Sequence, residues 1–131
     1  RLRGKQKPPR ARPELTGAPA RLRLKTYSGE SGYVDQYLYR GQRTLESGIG
    51  FVFSVSRDRT EWKLVEILMG NSIVDDWEQR SGRTLRTTER YAVAKLALVE
   101  FLDRVAILEP GEPVHLRMED IERHLAALGL L

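Results

Sequence analysis

The chain has 131 residues, 40% hydrophobic and 31% charged, a balance typical of one small globular domain with a single hydrophobic core. It contains no cysteine, which excludes disulfides, thiolate metal sites and a cysteine nucleophile. The formal net charge of +4 is unevenly spread: residues 1–25 carry nine Lys or Arg and one acid (net +8), whereas residues 26–131 carry thirteen Lys or Arg and seventeen acids (net −4).

The first element is an arm, residues 1–20, that contains four of the six prolines and almost no large apolar side chains. This composition predicts a flexible, extended segment. Its charge predicts contact with a polyanion, because each Lys or Arg that displaces counterions from a nucleic acid adds affinity. Other interpretations stay open: a solubilising tail, a remnant of a processed leader, or contact with an acidic protein or an anionic membrane. The candidate nucleic-acid contacts of the arm and the adjoining segment are Arg1, Arg3, Lys5, Lys7, Arg10, Arg12, Arg21, Arg23 and Lys25.

Alternating and aromatic-rich stretches predict four strands after the arm. In the first strand, Leu22 and Leu24 alternate with basic residues and are expected on the buried face. The glycine-rich stretch 41–50 is predicted as a loop between the second and third strands. The third and fourth strands are predicted to form a hairpin, with Trp62 and Leu64 on the buried face of the fourth. The predicted strands span residues 21–25, 33–39, 51–55 and 62–68.

Beyond residue 70 the apolar period changes to that of helices. A first helix is predicted between Ser72, as the N-cap, and Gly82, as a left-handed C-cap. A second helix should begin after Thr87 or Thr88 and run to about Val105, with apolar residues around most of its circumference. The third helix is predicted over residues 118–128, with Ile121, Leu125 and Leu128 facing inward.

These elements predict one α+β domain over residues 21–131, preceded by the extended basic arm. Its architecture is a three- to four-stranded antiparallel sheet followed by two to three helices packed on one face. Residues 114–116 are predicted as a short strand or an extended lead-in to the last helix. No apolar run approaches the roughly 20 residues that a membrane span needs, and no apolar stretch of a secretory signal follows the N-terminal charges. We therefore expect a soluble protein in the cytoplasm or associated with the nucleoid.

Three tyrosines of the second predicted strand could stack on unpaired bases. Tyr33, Tyr37 and Tyr39 alternate along one strand face, with Arg40 and Arg43 close by in sequence. Small domains that bind single-stranded nucleic acid use aromatic side chains beside basic ones in this way. Packing at the rim of the sheet is the competing interpretation, and no RNP1 motif is present.

Three arginines at the junction of the first two helices, Arg83, Arg86 and Arg90, are a second group of candidate nucleic-acid contacts. A helix N-terminus with hydroxyls and arginines favours phosphate binding. Ordinary helix capping explains the same residues, because Arg80 complements the end of the preceding helix dipole and a threonine suits the N-cap. The cluster alone does not decide between these interpretations.

The best case for an enzyme is a metal-dependent nuclease, and it is weak. Glu61 and Lys63 have the acid-x-Lys spacing of some nucleases, with Asp58 or Asp35 as a second carboxylate. Such a spacing is common by chance. The same pair is equally consistent with an exposed strand face, so the sequence favours a protein that is not an enzyme.

No cofactor or metal is predicted. His115 and His124 are too far apart for helical ligand spacing and are expected on the surface. Neither G-x-G-x-x-G nor G-x-x-x-x-G-K occurs, so no phosphate-binding loop is indicated.

Taken together, the residues favour a nucleic-acid-associated binding protein that contacts the backbone of DNA or RNA through its basic arm and arginine patches. The alternative is a protein-interaction or assembly subunit, in which the arm docks on an acidic partner and a Tyr/Trp surface forms an oligomeric interface.

Overall fold

The computed structural model describes residues 13–109 and 111–131. Candidate contacts Arg1 to Arg12, and with them most of the predicted arm, lie outside the described residues. The α+β class is confirmed, but within the described residues the sheet has five strands rather than three to four and is mixed rather than antiparallel. The strands are β1 (Lys25–Ser28), β2 (Val34–Thr44), β3 (Gly48–Ser56), β4 (Lys63–Gly70) and β5 (Val114–His115), and the helices are α1 (Asn71–Ser81), α2 (Thr87–Arg104) and α3 (Met118–Ala127).

The strands lie in the order in which they occur along the chain, from β1 to β5. Neighbours from β1 to β4 pair antiparallel, as consecutive strands joined by short turns do. The chain then leaves the sheet through α1 and α2 and returns as β5, which pairs in parallel with β4 at Ile67 and Leu68. A parallel pair needs such a long crossover. Mixed pairing is therefore a consequence of where the two helices fall in the sequence.

The first predicted strand is wrong. Residues 21–24 lie outside the sheet, and both Leu22 and Leu24 are exposed. The strand begins at Lys25 and extends to Ser28. Alternation along one segment indicates a strand only when a neighbouring strand offers hydrogen-bond partners, and residues 21–24 have none in the sheet.

The predicted loop over 41–50 is also wrong, because most of it belongs to β2 and β3. Only residues 45–47 separate the two strands. These glycines allow neighbouring backbone segments to approach closely and do not form a flexible loop. A Cβ at Gly48 would overlap the carbonyl oxygen of Met69 in the neighbouring strand, and Gly41, next to a β-bulge, has a φ of 126° that favours glycine.

Strand β4 presents the opposite face from the one predicted. Val65, Ile67 and Met69 are buried, whereas Leu64 is 54% exposed and Trp62 is exposed as well. Apolar residues occupy both faces of this strand, so alternation did not identify the inner one. The register with β3 determines which face of β4 is buried, because a shift of one residue would turn every side chain to the opposite face of the sheet.

Helix α1 begins at Asn71, with Gly70 as its N-cap, so the predicted Ser72 cap is wrong. Gly82 ends the helix in the left-handed conformation, at a φ of 71°, as expected. Helix α2 is capped by Arg86 rather than by a threonine, and the Arg86 N–H donates to the Glu89 carboxylate at 2.9 Å. The N-terminal cap of α2 therefore depends on the carboxylate of Glu89, three residues after Arg86.

Helix α3 buries Ile121 and Leu125, as predicted, but it ends at Ala127, and Leu128 after it is exposed. His124 is buried, contrary to the expectation of a surface histidine, whereas His115 is exposed. His124 lies one turn after the buried Asp120, and both side chains contribute to the inward face.

The hydrophobic core lies between the sheet and the helices. Its cluster contains Phe51, Phe53 and Val55 of β3 together with Val93, Ala94 and Leu98 of α2. Val52, on the opposite sheet face, is not a member of the cluster. Among the helices that the structure describes, none combines the length and the apolar character needed to cross a bilayer.

Candidate nucleic-acid interface

A cleft of about 620 Å³ opens beside β2, where residues 17–24 leave the sheet. Thr16 pairs with Gln42 and Lys25 pairs with Tyr37. Eight residues separate Thr16 from Lys25, but only four separate their partners, so the longer segment must loop outward. This loop forms one wall of the cleft, and helix α2 forms another. The lining residues are Gly17, Pro19, Ala20, Arg21, Arg23, Lys25, Tyr37, Tyr39, Tyr91 and Lys95.

Tyrosines line the interior of the cleft. Tyr37 is only 6% exposed, and Tyr39 and Tyr91 are half-buried. The Tyr39 and Tyr91 rings meet at 4.8 Å with an interplanar angle of 63°. The Tyr39 ring also lies 5.3 Å from Phe53, deeper in the core. Edge-to-face packing of this kind holds aromatic rings in fixed orientations.

Burial raises the pKa of the tyrosine hydroxyls further above neutral pH. It raises the pKa of Tyr39 to about 12, with a further contribution from Tyr91. Burial also raises the pKa of Tyr37 and of Tyr91. At neutral pH the three side chains can therefore donate as well as accept hydrogen bonds.

Four cations surround the tyrosines. Arg21, Arg23 and Lys25 are exposed on the loop and β1, and Lys95 projects from α2. None of them forms a salt bridge with any carboxylate that the structure describes. Their charge is therefore not neutralised by close contacts, although residues 26–131 carry a net charge of −4.

A second recess of about 330 Å³ continues the cleft toward the start of α2. The two cavities share Gly17, Tyr39 and Tyr91, and the second adds Gln42, Thr87 and Thr88. The result is one groove, with tyrosines between the cations at one end and two threonine hydroxyls at the other. We call it the tyrosine groove.

The structure brings together five of the residues singled out in the sequence: Arg21, Arg23, Lys25, Tyr37 and Tyr39. Tyr33 does not join them. It is 39% exposed, and the Arg57 guanidinium lies over its ring at 4.0 Å.

The arginines at the junction of α1 and α2 do not line the tyrosine groove. Arg83 lies over the Trp77 ring at 5.2 Å and 3.6 Å from the Glu89 carboxylate. The Arg90 Nε donates to the Leu85 carbonyl at 3.0 Å. Arg86 is exposed, and its side chain forms no salt bridge with the described residues. Two of the three arginines are thus engaged in the fold of the junction itself.

Two groove residues were missed in the sequence. Tyr91 and Lys95 both lie on the predicted second helix, but neither is among the candidate contacts predicted from the sequence. They are four residues apart on α2 and so share one helix face. That spacing was a usable signal, but nothing in the sequence placed this face against β2.

Comparison of the chain with protein-family models, curated proteins and solved structures found no match. The interpretation of the groove therefore rests on the chemistry of its lining: aromatic faces, free hydroxyls and unneutralised cations.

The nuclease candidates are engaged in local structure. Asp58 accepts hydrogen bonds from the N–H groups of Glu61 and Thr60, which lower the pKa of its carboxyl to about 2. Asp35 pairs with Arg57, and the Lys63 ammonium donates to the Leu108 carbonyl. Within residues 13–109 and 111–131, no three His, Asp or Glu side chains are grouped as metal ligands.

A separate buried group is His124 on α3. Its Nε2 has no hydrogen-bond partner among the described residues, and the nearest carboxylate oxygen of Glu100 is 3.9 Å away. Burial lowers the pKa of His124, Arg123 acts in the same direction, and Glu100 and Asp120 oppose the shift. The imidazole is therefore held neutral in the folded protein at a pH where an exposed histidine begins to take up a proton.

Acidification should destabilise the fold partly through His124. Its contribution to stability is complete above the ordinary pKa of 6.5 and is lost as the pH falls below that value, because the unfolded chain binds the proton first. Between about pH 7.5 and about pH 5.5, the free energy of unfolding should fall more in the wild type than in His124→Gln. Urea unfolding at several pH values measures this difference. The matched control is His115→Gln, at the exposed histidine, which should follow the wild type; identical pH profiles for wild type and His124→Gln would refute the expectation.

Proposed function

We propose that the protein binds nucleic acid, with backbone phosphates held by the cations of the tyrosine groove and by the basic residues of the arm. The observation that carries the proposal is the grouping of Arg21, Arg23, Lys25 and Lys95 around one cleft without acidic partners among the described residues. Unpaired cations grouped beside a folded region of net negative charge favour the binding of an external anion.

The chemistry of these side chains supports a phosphate ligand. Two of the four are arginines, whose planar guanidinium can bind a phosphate through two hydrogen bonds. The other two, Lys25 and Lys95, supply point charges. The loop with Arg21 and Arg23 follows directly from the arm, so Arg1, Arg3, Lys5, Lys7, Arg10 and Arg12 would extend the contact along a polymer.

The test is the salt dependence of binding. We expect the full-length triple variant Arg21→Ala/Arg23→Ala/Lys25→Ala to bind DNA or RNA oligonucleotides more weakly than the wild type. The slope of log affinity against log salt should also become shallower, by about 0.7–0.9 for each phosphate that the variant no longer neutralises. Fluorescence anisotropy across a salt series measures both quantities.

A matched control removes the same charge elsewhere. Arg59, Arg80 and Arg104 are exposed, and their triple alanine variant has the same net charge as the test variant. It should retain most of the affinity. An equal loss in both triple variants would mean that net charge alone governs binding, and the absence of salt-dependent binding in the wild type would overturn the proposal.

One observation favours the alternative of an assembly subunit. On the sheet face away from the core cluster, the register aligns Leu38, Ser54 and Leu64 across three strands, and Leu64 and the neighbouring Trp62 are exposed. Exposed apolar groups of this kind are common at interfaces between proteins. Light scattering on the same samples separates the two functions, because a stable oligomer without salt-dependent binding would favour assembly.

A further inference from the structure

We propose that the tyrosine groove takes an unpaired strand of nucleic acid, with a base against Tyr39 and Tyr91 and the adjoining phosphates at the cations. This inference rests on the proposed function and specifies the form of the nucleic acid. Three observations carry it: the depth at which the tyrosines lie, the state of their hydroxyls, and the shape of the groove.

The tyrosines lie deeper than the cations. Arg21, Arg23 and Lys25 are exposed, whereas Tyr39 and Tyr91 are half-buried between the loop and α2. In a duplex the base faces are stacked inside the helix, and only phosphates, sugars and base edges reach a protein surface. A duplex would therefore contact the cations at the rim and leave the tyrosines unused. An unpaired base can enter and stack, as bases do on the aromatic residues of single-strand-binding proteins.

The tyrosine hydroxyls of the groove have no hydrogen-bond partner within the part of the chain that the structure describes. Tyr37, Tyr39 and Tyr91 make no hydrogen bond through their hydroxyls to any residue that the structure describes. Tyr37 is only 6% exposed, but its hydroxyl is not among the fully buried atoms without a partner, and the side chain lines the cleft. A tyrosine hydroxyl that opens into a cleft can take a hydrogen-bond partner from a ligand. A base edge or a sugar hydroxyl in the groove would supply one.

The groove consists of two adjoining recesses that share Gly17, Tyr39 and Tyr91. Its main cleft of about 620 Å³ lies within the range of about 300–1,000 Å³ found for ligand pockets. The recess of about 330 Å³ beside Thr87 and Thr88 continues it past Tyr39 and Tyr91. A polymer that enters at the cations can thus pass over the tyrosine rings and continue to the threonines. This continuity favours a strand over a free nucleotide.

The experiment compares a single-stranded oligonucleotide with a duplex of the same sequence, at equal phosphate concentration and fixed salt. We expect the full-length protein to bind the single strand more tightly. Tyr91→Leu should weaken single-strand binding by about tenfold, because it removes a stacking face, and should leave duplex binding unchanged. Tyr91→Phe retains the ring and should retain most of the affinity.

The control is Tyr33→Leu, which removes an exposed tyrosine that does not line the groove. It should bind like the wild type. Thermal unfolding checks that each variant is folded at the assay temperature. Should Tyr91→Leu fail to fold, photo-crosslinking of the wild type to a strand that contains 5-bromouracil gives the same information. Peptide mass spectrometry should then find the crosslink at Tyr39 or Tyr91.

The outcomes separate this inference from the proposed function. Equal affinity for the duplex, no effect of Tyr91→Leu, and crosslinks only outside the groove would overturn the single-strand inference, while salt-dependent binding would leave the proposed function standing. A free mononucleotide is also tested as a competitor against the bound strand. If it displaces the strand at the same concentration as an unlabelled oligonucleotide does, the groove is a small-ligand site and the single-strand inference is overturned. Absence of salt-dependent binding to any nucleic acid would end both.

Discussion

Replacing Arg57 with methionine should lower the free energy of unfolding by about 3–5 kcal/mol, the cost typical of breaking a buried ion pair from one side. The Arg57 guanidinium donates to both carboxylate oxygens of Asp35, at 2.8 and 3.1 Å. Asp35 is only 1% exposed, so the substitution would leave its carboxylate buried without this partner. Urea unfolding followed by circular dichroism measures the loss.

The same arginine also closes the end of α2. It donates to the carbonyl of Leu102, in the last turn of α2, and to that of the C-cap residue Val105, each at 2.8 Å. Carbonyls at a helix C-terminus have no partner within the helix. Arg57 thereby joins β3, β2 and α2 through one side chain. We expect the C-terminal turn of α2 to fray first in the variant.

Two further variants test this explanation. Arg59→Met changes an exposed arginine in the same turn and should alter stability by less than about 0.5 kcal/mol. Asp35→Asn combined with Arg57→Met should recover part of the loss, because the buried charge is removed together with its partner. A loss below about 1 kcal/mol in Arg57→Met would show that the Asp35 carboxylate is stable without the pair.

The pairing of Asp35 with Arg57 illustrates what the sequence could not predict. The sequence predicts a hairpin from the strands at 51–55 and 62–68, and Arg57 lies in the turn between them. Its role depends on contacts 22 and 48 residues away, with Asp35 and Val105. Periodicity along the chain contains no information about such distant neighbours.

Helices and strands were predicted well where the apolar residues of a segment follow a single period, either that of a helix or that of a strand. The three helices and the core face of β3 followed from the spacing of apolar residues, and Gly82 was placed as the cap of α1. Predictions failed where two faces are equally apolar, as at Leu64, and where alternation had no pairing partner, as at Leu22 and Leu24.

The residues that line the tyrosine groove could be singled out from the sequence only in part, for the same reason. Arg21, Arg23 and Lys25 were identified from charge, and Tyr37 and Tyr39 from strand alternation. Tyr91 and Lys95 completed the site only once α2 packed against the sheet. A site assembled from a loop, a strand and a helix is visible in sequence only as separate fragments.

Phe53 connects the core to this groove, and Phe53→Ala should lower the free energy of unfolding by about 3–5 kcal/mol, the range for loss of a buried phenylalanine. The side chain is fully buried, and its ring lies 5.3 Å from Tyr39 and 6.5 Å from Tyr91. The substitution removes buried apolar area and opens a cavity directly beneath the groove. Denaturant unfolding at neutral pH measures the loss.

Phe101→Ala is the matched control, because Phe101 is a phenylalanine on α2 that is only partly buried and has no ring contact with Tyr37, Tyr39 or Tyr91 among the described residues. It should cost less stability than Phe53→Ala. At a temperature where both variants are folded, only Phe53→Ala should weaken single-strand binding, because it leaves the Tyr39 and Tyr91 rings without support from below. Equal stability losses in the two variants would mean that burial of Phe53 contributes no more than a partly exposed ring. Unchanged single-strand affinity in Phe53→Ala would show that Tyr39 and Tyr91 hold their orientations against each other alone.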